Sequence, residues 1–129
     1  MSSEHSASSQ NAPAIFHRAD ALARAGDDRE IAQVVARMFL EHGPEWLDQL
    51  RQAIASSDWP TAQRIAHTLK SSADNLGCHE TRATAWSIES AVAANEYDSL
   101  EPLIAKLDEA LQRCLPPLTE FCEAGENPS

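Results

Sequence analysis

Residues 64–77, Arg64-Ile65-Ala66-His67-Thr68-Leu69-Lys70-Ser71-Ser72-Ala73-Asp74-Asn75-Leu76-Gly77, carry their apolar side chains at helical spacing. At about 100° per residue, Ala62, Ile65, Ala66, Leu69, Ala73 and Leu76 share one stripe. His67 falls roughly 150° from the centre of that stripe, on the polar face. Its neighbours there are Arg64 at i−3, Lys70 at i+3, Ser71 at i+4 and, one turn further, Asp74. Gly77 suits the residue after the helix, because without a Cβ it takes the left-handed conformation freely. An amphipathic helix of this kind has to bury its stripe against other helices or a sheet.

The flanking sequence supplies helices. Ser57 or Asp58 is placed to cap the histidine helix, with Pro60 in its first turn, where a missing N–H costs nothing. Upstream, a short helix is predicted from about Phe16 to Ala25, ended by Gly26. Asp27 or Asp28 then caps a helix carrying Ile31, Val34, Val35, Met38 and Phe39 at helical spacing, and the pattern resumes after Gly43-Pro44 with Trp46, Leu47, Leu50, Ala53 and Ile54. This predicts one long helix kinked at Pro44, with two separate helices as the alternative. Downstream, a helix from about Glu80 to Asn95 buries Ala85, Ile88, Val92 and part of Trp86. A last one starts near Ser99, uses Leu103, Leu107, Ala110, Leu111 and Leu115, and is closed by Pro116-Pro117, with at most one further turn around Leu118 to Phe121. Every apolar residue in these stripes is expected in the core. Short connections then predict an all-α fold, an antiparallel up-down four-helix bundle with a short extra N-terminal helix. Residues 1–14, rich in Ser, Asn, Gln and Ala without periodicity, read as a flexible tail or linker, 15–122 as the bundle, and 123–129 as a disordered C-terminal tail.

Composition narrows the function. A chain of 129 residues with 43% apolar and only 5% aromatic residues fits a single core of close-packed helices. Its net charge of −10 argues against nucleic acid, which proteins bind by neutralising phosphates with Lys and Arg. No apolar run approaches the roughly 18 residues of a membrane span, and the N-terminus lacks the apolar core of a secretion signal. Cys78, Cys114 and Cys122, odd in number and irregular in spacing, fit reduced thiols, and the chain reads as cytoplasmic. No metal site is expected. None of His5, His17, His42, His67 and His79 has Asp or Glu three residues before it, the Glu-x-x-His pattern of metal-binding bundles. The Cys78-His79 pair would need two further ligands that the sequence does not cluster nearby. A kinase or a Ser-His-Asp hydrolase is equally unsupported, since no phosphate-binding Gly-rich loop or nucleophile elbow is present.

An exposed imidazole on a rigid helix is itself a reagent. With an unperturbed pKa near ~6.5, histidine keeps a useful neutral fraction near pH 7, and the free lone pair can attack phosphorus. The string Ala66-His67-Thr68-Leu69-Lys70-Ser71-Ser72, followed by Asn75-Leu76-Gly77, resembles the signature of histidine-containing phosphotransfer domains of bacterial phosphorelays. There the pattern is Ala-His-x-Leu-Lys-Gly-Ser, then a short gap and a Gly. The resemblance spans residues 15 to 115 and includes Gly26-Asp27, Phe39, Leu47, Leu50, Ser57-Asp58 and Ile88-Glu89. It departs at Ser71, where the family most often has Gly. What the resemblance implies is a carrier without kinase activity. His67 would accept a phosphoryl group from a receiver-domain aspartate and pass it to another, Lys70 would offset phosphoryl charge, and Arg64, Ser71 and Asp74 would contribute to partner docking. Mg²⁺ would sit on the receiver, with no cofactor on this chain, and the partners would be receiver domains of a hybrid sensor kinase or a response regulator, met by a monomer. The rival expectation is a helical adaptor that binds receivers without passing phosphate.

Overall fold

The computed structural model describes residues 16–124, and every regular element among them is helical. The elements are α1 (Arg18–Arg24), α2 (Arg29–Ala55), α3 (Trp59–Asn75), α4 (His79–Ala93) and α5 (Leu100–Ala124), with one 3-10 turn at Tyr97–Ser99 leading into α5. Helices α2 to α5 make the antiparallel up-down bundle: α3 packs on α2 and α4, and α5 closes the ring against both. The extra helix α1 leans on α2 and α3. The tail expected at residues 1–14 lies outside the described residues. Of the disordered tail expected at 123–129, residues 125–129 also lie outside them, while Glu123 and Ala124 belong to the last turn of α5 instead.

One local device makes the turns after α1 to α4. Gly26, Ser57, Gly77 and Asn95 each take a positive φ, between 58° and 69°. The next residue's N–H then reaches back to a carbonyl of the last helical turn: Asp27 to Leu22 at 2.6 Å, Asp58 to Ala53 at 2.8 Å, Cys78 to Ala73 at 2.9 Å and Glu96 to Ala91 at 2.8 Å. This six-to-one bond satisfies a helix-end carbonyl and reverses the chain sharply. Asp58 then accepts from Thr61 N at 3.3 Å and so caps α3, Ser57 being used by the turn itself. Asp28 does the same for α2, accepting from Ile31 N at 3.2 Å.

The core contains Phe39, Leu50, Leu69, Leu76, Ile88, Leu107 and Leu111, all essentially inaccessible to water. Each such side chain stabilises the fold by about 1.5–3 kcal/mol. Two sequence expectations need correction. Ile31, Val34 and Met38 are about half exposed rather than core. Helix α2 instead buries Ala32, Ala36, Phe39, Gly43, Leu47 and Leu50, a stripe of partly small residues that lets the helices approach closely. Trp86 on α4 is 55% exposed, in keeping with the partial burial expected of it. Finally, Pro116-Pro117 does not close the last helix; α5 runs through both prolines. Each interior proline costs about 3 kcal/mol. The following turns bury Leu118, Phe121 and Cys122, and the Phe121 carbonyl accepts from buried Gln33 Nε2 at 2.9 Å. At about 1.5–3 kcal/mol per large apolar side chain, this burial offsets the lost donors. The other interior proline, Pro44, sits within a single helix that spans residues 29–55, as the long-helix expectation has it.

Candidate functional site

Helix α3 presents His67 to solvent, its side chain 59% exposed, because the stripe Ala62, Ile65, Ala66, Leu69 and Ala73 is turned into the bundle. The imidazole is held from α4. Its Nδ1 lies 3.1 Å from Glu89 Oε2. The other carboxylate oxygen of Glu89, Oε1, is shut away from solvent, with Lys70 Nζ 2.8 Å from it. That approach misses ideal hydrogen-bond geometry, yet at this distance the two charges form an ion pair whatever the angle. Glu89 therefore ties the histidine and the lysine of α3 together from the neighbouring helix.

The protonation state of Glu89 follows from its surroundings. Partial burial pushes the carboxyl up. The charge of Lys70, followed by the hydrogen bond from His67, outweighs that and holds it below the usual carboxylate range. An ionised carboxylate accepts and never donates, so the proton in the Glu89–His67 contact belongs to Nδ1. Nε2 then carries the free lone pair. This arrangement can attack an electrophile with Nε2 while Glu89 balances the positive charge that develops on the ring.

The remaining residues singled out from the sequence separate into those on the α4 side of α3 and those elsewhere. Ser71 is exposed one turn from His67 on α3. Together with Lys70, Asp74, Arg82 and Trp86 it lines an open depression between α3 and α4. Asp74 is occupied structurally, paired with Arg24 of α1 at 2.9 Å and with Arg82 of α4 at 3.6 Å. Arg64 is exposed on the other flank, beside Gln49 and Gln52 of α2 and Ser56 just after it. Gly77 is needed for packing as well as for its positive φ. A Cβ there would lie 2.8 Å from Asp20 Cβ and 2.9 Å from both His17 Cβ and the His17 carbonyl oxygen.

Glu89 is the residue to which the sequence reading assigns no role. Its signal is nevertheless in the spacing: His67 stands eleven residues before Cys78 and Glu89 eleven after it. In an antiparallel helical hairpin, residues equidistant from the turn lie level with each other.

The sequence matches the family model of the Hpt domain over residues 34–116, a span that includes all of α3 and α4. The chain belongs to the Hpt domain family. Hpt domains are phosphorelay carriers that act through a histidine, not kinases. Among solved structures, the chain is similar to the HPT domain of a sensor hybrid histidine kinase from Shewanella. The TM-score is 0.77 and the identity 21%, over 86% of this chain and 96% of that one. No curated protein matches the chain. Among the described residues of this Hpt domain, no helix is long and apolar enough to cross a membrane. All three cysteines are buried in the core. The Cys114 sulfur beside it and burial together push the Cys78 thiol up, so it stays protonated and inert.

Proposed function

We propose that His67 is the phosphoacceptor of a phosphorelay, taking the phosphoryl group of an aspartyl phosphate on one receiver domain and yielding it to the aspartate of another. The observation that carries this reading is the Glu89 contact, which leaves Nε2 of an exposed imidazole as the free nucleophile. In the forward step Nε2 bonds to phosphorus, the P–O bond to the aspartate breaks, and the carboxylate leaves with the bonding pair. The ring becomes cationic with its proton still on Nδ1, and Glu89 stabilises that charge. In the return step the second aspartate attacks phosphorus and the N–P bond breaks back to a neutral imidazole. Such transfer is largely positioning and charge stabilisation, so the carrier needs little of its own, and Mg²⁺ belongs to the receiver's acidic pocket. Lys70, held beside the site by Glu89, offsets charge on the phosphoryl oxygens. Ser71 is small enough for a receiver to approach over α3, with Arg64 and Asp74 at the edges of the same face. The chain works as a monomer in the cytoplasm, where its three thiols remain reduced, with receivers of a hybrid kinase or a response regulator as partners.

The test is incubation with a receiver phosphorylated on aspartate. Label is expected to move to this chain in a form stable to base and labile to acid, as a phosphoramidate is, and His67→Ala should take none. Binding of the receiver without any label transfer would favour the adaptor reading instead.

A further inference from the structure

About ten residues along α3 from His67, roughly 15 Å at 1.5 Å per residue, the fold assembles a second group of ionisable side chains. His17 precedes α1, Asp20 lies in its first turn, and His79 opens α4. His79 Nε2 is 2.9 Å from Asp20 Oδ2, and His17 Nδ1 is 3.8 Å from the same oxygen. The two imidazoles meet edge to face with centroids 4.9 Å apart. One ligand atom from each residue falls within 4.8 Å of the others. All three side chains are 40–45% exposed, so an ion can reach them and they can adjust.

We propose that His17, Asp20 and His79 bind a divalent transition ion, Zn²⁺ by preference, and that the ion clamps α1 to the turn between α3 and α4. Two neutral imidazoles and a carboxylate are the donors that suit zinc, and they leave a fourth position for water. A tetrahedral ion with donors at about 2.0–2.1 Å holds them about 3.4 Å apart, between the 2.9 Å and 3.8 Å contacts already in place. On binding, His79 takes the tautomer with its proton on Nδ1, freeing Nε2 for the ion. The backbone prepares the same junction. His17 N donates to the Gly77 carbonyl at 3.1 Å, and Gly77 lacks the Cβ that would push His17 and Asp20 away. The Glu-x-x-His pattern does not cover this set, because the acid follows its histidine in His17-x-x-Asp20 and the third ligand comes from a distant helix.

Isothermal titration of the full chain with Zn²⁺ is expected to give one ion per chain. His17→Ala, Asp20→Asn and His79→Ala should each weaken binding by about tenfold or more. A chain with His5, His42 and His67 all replaced by alanine should bind as the wild type does. Should His79→Ala unfold, His79→Gln keeps a hydrogen-bonding group towards Asp20 and is expected to show the same loss. Hydrogen exchange across residues 18–24 is expected to slow with Zn²⁺ in the wild type and to stay unchanged in His79→Ala. No binding by the wild type, undiminished binding by the His79 variants, or loss of binding in the triple alanine chain would overturn the site. Zinc binding that leaves exchange in α1 unchanged would overturn the clamp.

Discussion

Because a carboxylate only accepts, the 3.1 Å contact between Glu89 and His67 Nδ1 makes Glu89 a positioning residue for Nε2. Glu89→Gln keeps the size and can still accept through its amide oxygen, but it removes the charge that, in the proposed transfer, balances the phosphorylated ring. Transfer is expected to slow by about tenfold or more, as when a charged partner of a reacting group is neutralised. The same substitution tests the pH dependence. The folded-state pKa of Glu89 is depressed, so its ionised form contributes stability above the ordinary carboxylate range, and that contribution is lost as pH falls through the lowered value. Thermal melts of Glu89→Gln should therefore decline less steeply on the acid side than those of the wild type. Lys70 and Arg64 divide on the same geometry. Lys70 is 2.8 Å from Glu89, whereas Arg64 lies on the flank towards α2. Lys70→Ala is predicted to reduce the transfer rate or shorten the life of the phosphorylated form at both low and moderate salt, and Arg64→Ala to do less. Equal rates for Lys70→Ala and wild type would leave Lys70 an ordinary surface cation.

At the scale of the elements, α3 is defined by the turn that ends it and by the small residue beside its histidine. Gly77 and Gly26 both sit at positive φ, but a Cβ at Gly26 meets nothing within 4 Å while one at Gly77 collides with α1. Gly26→Ala is expected to cost about 1–2 kcal/mol, the left-handed penalty alone. Gly77→Ala should cost clearly more in denaturant unfolding, and equal losses would mean that α1 yields without resistance. Ser71→Trp is predicted to slow transfer severely by blocking a receiver's approach, while Ser71→Gly should transfer at least as fast and destabilise α3 by roughly 0.5–1 kcal/mol. Wild-type transfer by Ser71→Trp would show that the partner does not approach over this face. Helix α3 was readable from its sequence because, past its first turn, no large apolar residue on the exposed face competes with the buried Ile65 and Leu69. On α2 the long helix and its buried Phe39, Leu47 and Leu50 were readable too, but the buried face of its first half was not, since Ile31, Val34 and Met38 outweigh Ala32 and Ala36 in hydrophobicity, yet the small residues are the ones that let neighbouring helices come close. Helix α5 misled in another way. Local chemistry at Pro116-Pro117 favours a stop, and only tertiary burial of Leu118 and Phe121 carries the helix onward.

Across the whole molecule, the bundle is a rigid mount that sets α3 and α4 side by side, so that residues far apart in sequence act as one group. His67, Lys70 and Ser71 were visible in the sequence because they lie on a single helix at short spacing. Glu89 and the His17, Asp20, His79 group come from different helices, and only the packing of the hairpin and of α1 brings them into range. The central claim is that Glu89 keeps the proton on Nδ1 and so makes Nε2 of His67 the atom that carries phosphate. Nitrogen and phosphorus NMR of the phosphorylated chain tests this most directly, since the two ring nitrogens give distinct couplings to phosphorus. The account predicts a single phosphoryl group bonded to Nε2 of His67. Phosphate on Nδ1, on another residue, or on His67 in Glu89→Ala with unchanged rate and position would contradict it.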